Sequence, residues 1–246
     1  MVDYQAFAQL YDDLMNQTLY DQWADWVQNR LPKGQSILEL GCGTGRLANK
    51  LLQNYKVTGL DRSVDMLTLA REQQTKPYPL IQADMTKLAD LPVYDHIIAF
   101  NDTLCYLENP QVLLSCFQSV YKHLALGGQF LFDVHSIKQM DDFNGFSYHG
   151  ESDQGLLVWD SYPGDQPYSV EHDLSIFLVQ ADGSYHRFDE RHFERTYEAS
   201  FYEQLLHQAG FRSVQVTSDF EEKFNPEGKR WFFQAKKIVW HERKVT

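Results

Sequence analysis

The sequence contains few cysteines, fewer basic than acidic residues, and no long apolar run. Its three cysteines among 246 residues are too few and too scattered for a disulfide framework or a zinc site, so we expect no metal. The 22 basic residues against 34 acidic ones give a net charge of −12, which disfavours a broad nucleic-acid-binding face. No apolar run approaches the roughly 20 residues that span a bilayer, and residues 1–14 lack a secretory-signal pattern. We therefore expect a cytoplasmic protein without a membrane anchor.

The first half of the chain alternates short apolar runs with helical patterns. Residues 1–31 have a helical pattern. Strands are then expected at 36–40, 56–60, 79–82, 95–100 and 129–134, and helices at 46–53, 64–74 and 112–124. This alternation is typical of βαβ units and predicts a parallel sheet with helices on both faces.

The pattern changes after about residue 143. The segment 145–196 has no helical period, is rich in aromatic residues and turn pairs, and predicts long strands at 169–179 and 185–197. A helix at 200–209 and strands at 213–218 and 230–239 complete the chain. We predict an α/β fold with a doubly wound, seven-stranded, mostly parallel sheet and an antiparallel β insertion.

A glycine-rich loop containing Gly41, Gly43 and Gly45 joins the first predicted strand to the next helix. Such a loop lets backbone N–H groups approach a ligand closely. Its G-x-G-x-G spacing differs from the G-x-G-x-x-G of dinucleotide-binding sites, and Glu39 just before it would repel a pyrophosphate. The loop therefore favours a ligand that carries positive charge.

Acidic or amide side chains follow the next three predicted strands, as Asp61, Asp84 and the pair Asn101-Asp102. Open α/β sheets bind ligands at this edge, and an acidic residue after the second strand accepts hydrogen bonds from a ribose diol. Any one of these residues could instead serve as a helix cap: Asp61 or Ser63, for example, could cap the helix that follows them. The whole series behind the glycine loop favours a ligand site.

The ordered motifs are Glu39-Leu-Gly41-Cys-Gly43-Thr-Gly45, Asp61, Ala83-Asp84-Met85 and Leu126-Gly127-Gly128. They resemble those of class I S-adenosylmethionine-dependent methyltransferases, closely over 35–135 and loosely over 198–240, although Leu126 replaces the usual proline before the paired glycines. The resemblance implies a Rossmann-like fold, S-adenosylmethionine as cofactor and S-adenosylhomocysteine as product. We accordingly divide the chain into a helical lid (1–34), a cofactor-binding α/β domain (35–143 and 198–246) and a β insertion over the substrate side (144–197).

The resemblance also implies which residues surround the cofactor. They are Tyr11, Tyr20, Glu39, Gly41, Cys42, Gly43, Gly45, Asp61, Arg62, Met66, Asp84, Met85 and Asn101. The glycine loop would pass under the methionine part, Asp61 would hold the ribose hydroxyls, Asp84 would accept from the adenine amino group, and Asn101 would line the pocket near the sulfonium. Tyr11 and Tyr20 would fold over the cofactor, with ordinary core packing as an equal alternative.

Methyl transfer from a sulfonium is an in-line displacement at an activated carbon. Positioning of the reactants in a dry pocket can supply most of the catalysis, and a general base is needed only if the acceptor must lose a proton. The candidate base is His135, after the fifth predicted strand, with Asp133 and Asp102 as its neighbours in the topology. A surface histidine or a substrate-binding histidine is the alternative.

The later part of the chain carries aromatic residues and alternating charges. The aromatic residues of the insertion are Phe146, Tyr148, Trp159, Tyr162, Tyr168 and Phe177. They allow either a cage for a cationic amine or, as we favour, the inner face of a strand meander. The charges at 187–195 indicate a solvated strand face. Trp231, Phe232, Phe233 and Trp240 indicate core and dimer surface.

The sequence thus predicts a methyltransferase that acts on a nucleophilic N, O or C atom of a small molecule, with a homodimer as an open option. Two alternatives remain: a tRNA-base or protein methyltransferase of the same fold, and a non-catalytic cofactor-binding module. The basic residues available to a nucleic acid are Lys223, Lys229, Arg230, Lys236 and Lys237. Acidic neighbours dilute this cluster, so nucleic acid is disfavoured without being excluded.

Overall fold

The computed structural model describes residues 10, 14, 17–88 and 90–238. The elements in chain order are α1 (Gln17–Gln28), β1 (Ser36–Leu40), α2 (Arg46–Leu51), β2 (Lys56–Asp61), α3 (Val64–Glu72), β3 (Leu80–Gln82), β4 (Tyr94–Ala99), a 3-10 turn (Thr103–Tyr106), α4 (Pro110–His123), β5 (Leu124–His135), α5 (Ile137–Asp142), β6 (Ser147–Ser152), β7 (Gly155–Pro163), β8 (Ser169–Val179), β9 (Tyr185–Arg195), α6 (Ala199–Ala209), β10 (Ser213–Ser218) and β11 (Arg230–Lys236). No helix in this described part of the chain is long and apolar enough to cross a membrane.

Seven strands form the main sheet in the order β10-β11-β5-β4-β1-β2-β3. The strands β1 to β5 pair in parallel, whereas β11 is antiparallel to both β5 and β10. This arrangement confirms the predicted doubly wound, mostly parallel sheet. Because β1 to β5 run the same way, their carboxyl ends meet at one edge, where open α/β sheets bind ligands.

Local sequence signals fix where several helices begin and end. Asn109 caps α4, since its side chain accepts hydrogen bonds from the backbone N–H groups of the second and third residues that follow it, both at 3.0 Å. Pro110 then occupies the first turn, where no N–H donor is needed. Gly210 ends α6 in a left-handed conformation with φ +115°. The helices predicted at 46–53, 64–74, 112–124 and 200–209 are found within two residues of these bounds. The helix α1 covers 17–28 of the helical pattern at 1–31, part of which lies outside the described residues.

Apolar side chains cover both faces of the main sheet. One face packs residues such as Phe117, Phe132 and Tyr202 from α4, β5 and α6, and the other packs Trp23 and Leu51 from α1 and α2. Each large apolar side chain that is fully buried contributes about 1.5–3 kcal/mol to stability. The predicted late aromatic residues share this core: Trp231 and Phe233 face one side and Phe232 the other, while Trp240 lies outside the described residues. The three that are described are therefore core residues rather than dimer surface.

The second sheet is antiparallel, in the order β6-β7-β8-β9, and confirms the predicted β insertion. Its inner face buries Leu157, Leu174 and Ile176 against Leu10 and against Met66 of α3. At its other end, His192 of β9 packs its ring 6.0 Å from Tyr106 in the turn after β4. The sheet therefore lies against the main sheet near the ends of its parallel strands. The domain boundaries at 34, 143 and 197 stay predictions.

The sequence analysis did not predict α5, β6 or β7. The helix α5 has only six residues, capped by Ser136, and is too short to show a helical period. The strands β6 and β7 were not resolved from the irregular aromatic pattern of the insertion. The charges at 187–195 were expected to form a solvated face, but this is wrong for Glu194, which is buried against the main sheet.

Candidate functional site

The carboxyl ends of the parallel strands bring most of the predicted cofactor residues together. Glu39 lies buried in β1, and Asp61 is the last residue of the neighbouring strand β2. Asn101 follows β4 on the other side of β1, in a left-handed conformation with φ +59°. Asp84 follows β3 at the edge of the sheet. The predicted convergence on one edge is therefore observed, although their roles toward a ligand stay predictions.

Two glycines of the loop have opposite surroundings. Gly43 (φ +53°) borders open space, because a Cβ added there would meet nothing within 4 Å. Gly45 (φ +77°) is crowded, since a Cβ would collide with the Tyr78 hydroxyl and lie 3.3 Å from Ala70 Cβ. Gly45 thus lets the start of α2 approach Tyr78 and Ala70 closely. Gly43 leaves open space beside the backbone, and we call this space the cradle.

The start of the loop packs tightly against the turn after β4. A Cβ at Gly41 would collide with the side chain of Thr103, a contact that the sequence analysis missed. Cys42 is buried and its thiol faces Gly59, where a Cβ would lie 2.9 Å from the Cys42 sulfur. Burial and the nearby Glu39 carboxylate raise the pKa of the Cys42 thiol, so it stays protonated. Cys42 therefore acts in this loop as a small packing residue rather than a nucleophile.

Glu39 is a buried carboxyl group with an unsatisfied atom. Its Oε2 atom has no hydrogen-bond partner among the described residues. Burial, and then the charge of Asp61, raises the pKa of Glu39 to about 8. A positively charged N–H group placed beside it would give Oε2 a hydrogen-bond donor and would lower the pKa of Glu39 again. The open cradle at Gly43 and this carboxylate together fit a ligand that carries positive charge.

Asp61 connects the glycine loop to the start of α3. Its Oδ2 accepts a hydrogen bond from the Gly43 N–H at 2.9 Å, and its Oδ1 accepts one from the Ser63 N–H at 2.9 Å. The cap of α3 is Ser63 itself, whose hydroxyl accepts from the Met66 N–H at 3.2 Å. The alternative that Asp61 caps this helix is therefore wrong. Each Asp61 oxygen keeps a lone pair for a further donor, such as a hydroxyl.

The remaining predicted cofactor residues are exposed or half-buried where the structure describes them. Asp84 is exposed, and its hydrogen bonds from Thr86 lower its pKa, so it is ionised. Arg62 is exposed, while Met66 and Met85 are half-buried. Tyr20 is half-buried and packs edge-on against Trp23, with ring centres 5.4 Å apart. Tyr11 lies outside the described residues, so the lid at 1–34 stays a prediction.

A second group of buried charges lies at the ends of β4 and β5. Arg230 of β11 donates to both oxygens of Asp102, at 2.6 and 2.9 Å, and to Asp133 at 2.8 Å. The Trp23 indole N–H also donates to Asp133 at 2.7 Å. Burial raises the pKa of both carboxyl groups, to about 6 for Asp133, and the Arg230 charge opposes this rise. Arg230 is 128 residues from Asp102 in the chain, so no local sequence signal marked the pair.

His135, the predicted general base, is buried beside this group. Its Nε2 lies 3.1 Å from Asp102 Oδ2 and 3.5 Å from Glu194 Oε2. Burial, and then the Arg230 charge, lowers the pKa of His135 well below its ordinary value, so the ring is neutral. The carboxylate of Asp102 favours the tautomer with the hydrogen on Nε2, which leaves a lone pair on Nδ1. That Nδ1 has no hydrogen-bond partner among the described residues.

The aromatic residues of the insertion divide into two sets. Phe146 and Trp159 pack with Phe143 around the buried His172, whose ring lies 4.9 Å from Phe143 and 5.2 Å from Trp159. Three predicted members, Tyr148, Tyr162 and Tyr168, are exposed. The inner face that we favoured is therefore confirmed for Phe146 and Trp159, which pack against the core, and wrong for the three exposed tyrosines. Phe177 is half-buried, with the Arg187 guanidinium 5.6 Å from its ring centre. A cage for a cationic amine stays a prediction. Across the described ranges, no group of three or more His, Cys, Asp or Glu side chains is placed to hold a metal ion.

The predicted basic cluster near the C-terminus is partly internal. Arg230 is held by Asp102 and Asp133, and the Lys237 ammonium donates to the carbonyl oxygens of Tyr121 and Leu124, both at 2.8 Å. Two of its five cations are therefore engaged within the protein.

Comparison with known proteins places this geometry in context. Residues 37–128 match the family model described as a methyltransferase domain. The chain is 38% identical to a methyltransferase-family protein of Geobacillus sp. (strain WCH70), over 95% of this chain and 99% of the relative. It is 35% identical to the methyltransferase-family protein YqeM of Bacillus subtilis (strain 168), over 95% and 97%. Its fold is similar to that of an S-adenosylmethionine-dependent methyltransferase from Clostridium acetobutylicum ATCC 824, with TM-score 0.82, 26% identity, and coverage of 96% and 99%.

Proposed function

The chain belongs to the class I S-adenosylmethionine-dependent methyltransferases, and we propose that it transfers the methyl group to a small molecule. S-adenosylmethionine supplies a methyl group on a sulfonium, already activated toward a nucleophile. The protein must therefore bind the cofactor, hold the acceptor in line with the methyl group, and exclude water.

We assign cofactor binding to the edge that contains the glycine loop. Gly41, Cys42 and Gly43 support the methionine part, and the unpartnered carboxyl oxygen of Glu39 faces the positive charge of the ligand. Asp61, already fixed by two backbone N–H groups, accepts the ribose hydroxyls with its remaining lone pairs. Arg62, Met66, Asp84 and Met85 lie on the adenine side, and Asn101 and Tyr20 border the methionine side.

The observation that supports a small acceptor is the closure of the β5 end by the insertion sheet. Glu194 of β9 meets His135 at the end of β5, and both side chains are buried. A tRNA or protein acceptor would require an open and, for tRNA, a basic approach to this point. Arg230 and Lys237 are instead engaged internally.

The names of more distant relatives support the same proposal. The chain is 31% identical over 106 residues to dTDP-3-amino-3,4,6-trideoxy-alpha-D-glucopyranose N,N-dimethyltransferase of Streptomyces venezuelae. It is 28% identical over 182 residues to malonyl-[acyl-carrier protein] O-methyltransferase of Priestia megaterium. For an acceptor that must lose a proton, we assign the proton transfer to the buried pair of His135 and Glu194, whose Nε2 and Oε2 atoms lie 3.5 Å apart.

Two measurements test the proposal. Calorimetry with S-adenosylhomocysteine should show binding, weakened at least tenfold in Asp61→Asn and unchanged in Asp65→Asn, an exposed carboxylate in the first turn of α3. Incubation with methyl-labelled cofactor and a cell extract should then place the label in the small-molecule fraction. Label in RNA or protein would contradict the small acceptor, and no label in any fraction would favour a non-catalytic module.

A further inference from the structure

Buried polar atoms without partners gather where the insertion sheet meets the ends of β4 and β5. Among the described residues, His135 Nδ1, His172 Nε2, Glu194 Oε2 and Trp159 Nε1 have no hydrogen-bond partner. The three ionisable residues are 9%, 2% and 7% exposed for His135, His172 and Glu194. Because buried polar groups are nearly always hydrogen-bonded, such a concentration indicates a place where a ligand supplies the missing partners.

The cluster has more carboxyl groups than positively charged groups that could pair with them. Arg230 is fully used by Asp102 and Asp133. The ion-pair contacts described for Glu194 are with His135 at 3.5 Å and His172 at 3.8 Å, and both rings are neutral because burial lowers their pKa values. Tyr106 adds one hydrogen bond to Glu194. An ionised Glu194 therefore has no direct cationic partner in the described part of the chain.

The walls around Glu194 and His172 are apolar. The ring centre of Phe143 lies 5.1 Å from that of His135 and 4.9 Å from that of His172, and Trp159 covers His172 from another side. Glu194 is 7% exposed, and the Arg230 charge offsets only part of the cost of its ionisation. A carboxylate or phosphate would be repelled by Asp102 and would oppose the ionisation of Glu194, and an alcohol brings no positive charge that would favour it.

We propose that Glu194 and His172 form a subsite for a protonated amino group carried by the methyl acceptor. The inference rests on the proposed small-molecule acceptor and specifies its class as an amine. Ser161 lies 2.7 Å from His172 Nδ1, and a hydrogen bond donated by Nδ1 leaves Nε2 as an acceptor. An ammonium group has three N–H donors, which match Glu194 Oε2 and His172 Nε2 with one to spare.

The proton count gives the subsite a measurable signature. Burial and the Asp102 carboxylate raise the pKa of Glu194 to about 8, so the ligand-free carboxyl group holds a proton at neutral pH. Binding of an ammonium releases that proton. For methylation, one ammonium proton passes to the Glu194 carboxylate, which lies 3.5 Å from His135 Nε2. The nitrogen lone pair then forms the N–C bond as the C–S bond breaks, and its electron pair stays on sulfur.

The test uses the full chain saturated with S-adenosylhomocysteine and two probes of equal shape, cyclohexylammonium and cyclohexanol. Calorimetry at pH 7 in phosphate and in Tris measures both affinity and proton release. We expect cyclohexylammonium to bind at least tenfold more tightly than cyclohexanol, with release of up to one proton. Glu194→Gln should weaken the ammonium at least tenfold and abolish the proton release. Glu190→Gln is the matched control, since Glu190 lies on the same face of β9 and pairs with His192 at 2.9 Å.

Three results would each overturn the inference: no binding of cyclohexylammonium up to 50 mM, about 50,000-fold weaker than a 1 μM ligand; equal binding of both probes; or full binding by Glu194→Gln. Circular dichroism checks that this isosteric variant folds, and His172→Gln provides a second variant with the same expected loss. Binding of S-adenosylhomocysteine is measured on the same samples. If wild-type protein does not bind S-adenosylhomocysteine, the cofactor site is refuted. If it binds S-adenosylhomocysteine but not cyclohexylammonium, only the amine subsite is refuted.

Discussion

Replacement of Gly43 by alanine separates cofactor binding from stability. The left-handed backbone at this position costs about 1–2 kcal/mol for a residue with a Cβ, and the less flexible unfolded chain returns about 0.4–1 kcal/mol. The added methyl group meets no protein atom within 4 Å, so the net loss of stability should be about 0–1.6 kcal/mol. The same methyl group enters the cradle assigned to the cofactor. Affinity for S-adenosylhomocysteine should therefore fall at least tenfold, or about 1.4 kcal/mol.

Two other glycines provide controls for this measurement. Gly183→Ala, in the hairpin between β8 and β9, has a similar strain (φ +81°) and equally open surroundings, and should leave cofactor affinity unchanged. Gly45→Ala adds a collision with Tyr78 and should lower the free energy of unfolding by about 2–4 kcal/mol. Urea unfolding and calorimetry on all three variants give the two quantities. Wild-type affinity in a folded Gly43→Ala protein would refute the assignment of the cradle.

Three further substitutions test the buried charges. Burial raises the pKa of Glu39 from 4.5 to about 8, so the folded state holds a proton that the unfolded state has lost between these pH values. Wild-type stability therefore falls as pH rises from about 4.5 to about 8, and Glu39→Gln should flatten this pH dependence. Equal slopes in urea unfolding between pH 5 and 8 would contradict this. Arg230→Met should lower the free energy of unfolding by about 3–5 kcal/mol, because two buried carboxylates lose their counter-charge; a loss below 1 kcal/mol would be inconsistent with the observed pairing. Trp23→Phe should lower the free energy of unfolding by about 1–3 kcal/mol, because it removes the hydrogen bond to Asp133. Trp26→Phe should lower it less, since the Trp26 N–H has no partner among the described residues; thermal unfolding of both variants measures the difference.

The sequence predicted those parts of the site that depend on position along single strands. Glu39 lies one residue before the end of its strand, Asp61 ends its strand and Asn101 follows one, and the parallel topology then brings them to one edge. Neighbouring signals along the chain were enough, because a βαβ pattern determines both strand direction and the edge where the strands end. The same logic placed His135 at the end of β5.

The parts that were missed depend on contacts between distant segments. Arg230 was interpreted as surface charge, since its partners lie 97 and 128 residues away. Glu194 follows an alternating charge pattern that is solvated along most of β9, and only the approach of the main sheet buries it. Thr103 carries no motif and is identified only by its contact with Gly41. In each case a contact between segments that are far apart in the chain, rather than local preference, decides the environment of the side chain.

The buried carboxylates differ in whether the protein itself neutralises them. Burial of a charge is expensive unless it is paired, and Arg230 pairs Asp102 and Asp133. Glu39 and Glu194 have no Lys or Arg in ion-pair contact among the described residues, and each has one unpartnered oxygen. A core selected for stability alone would favour neutral residues at both positions. Both positions lie where we place a cationic ligand, the cofactor at Glu39 and an amine at Glu194. Both carboxyl groups are protonated at neutral pH without a ligand, because burial raises their pKa values to about 8, and a bound cation would favour the ionised form at each position.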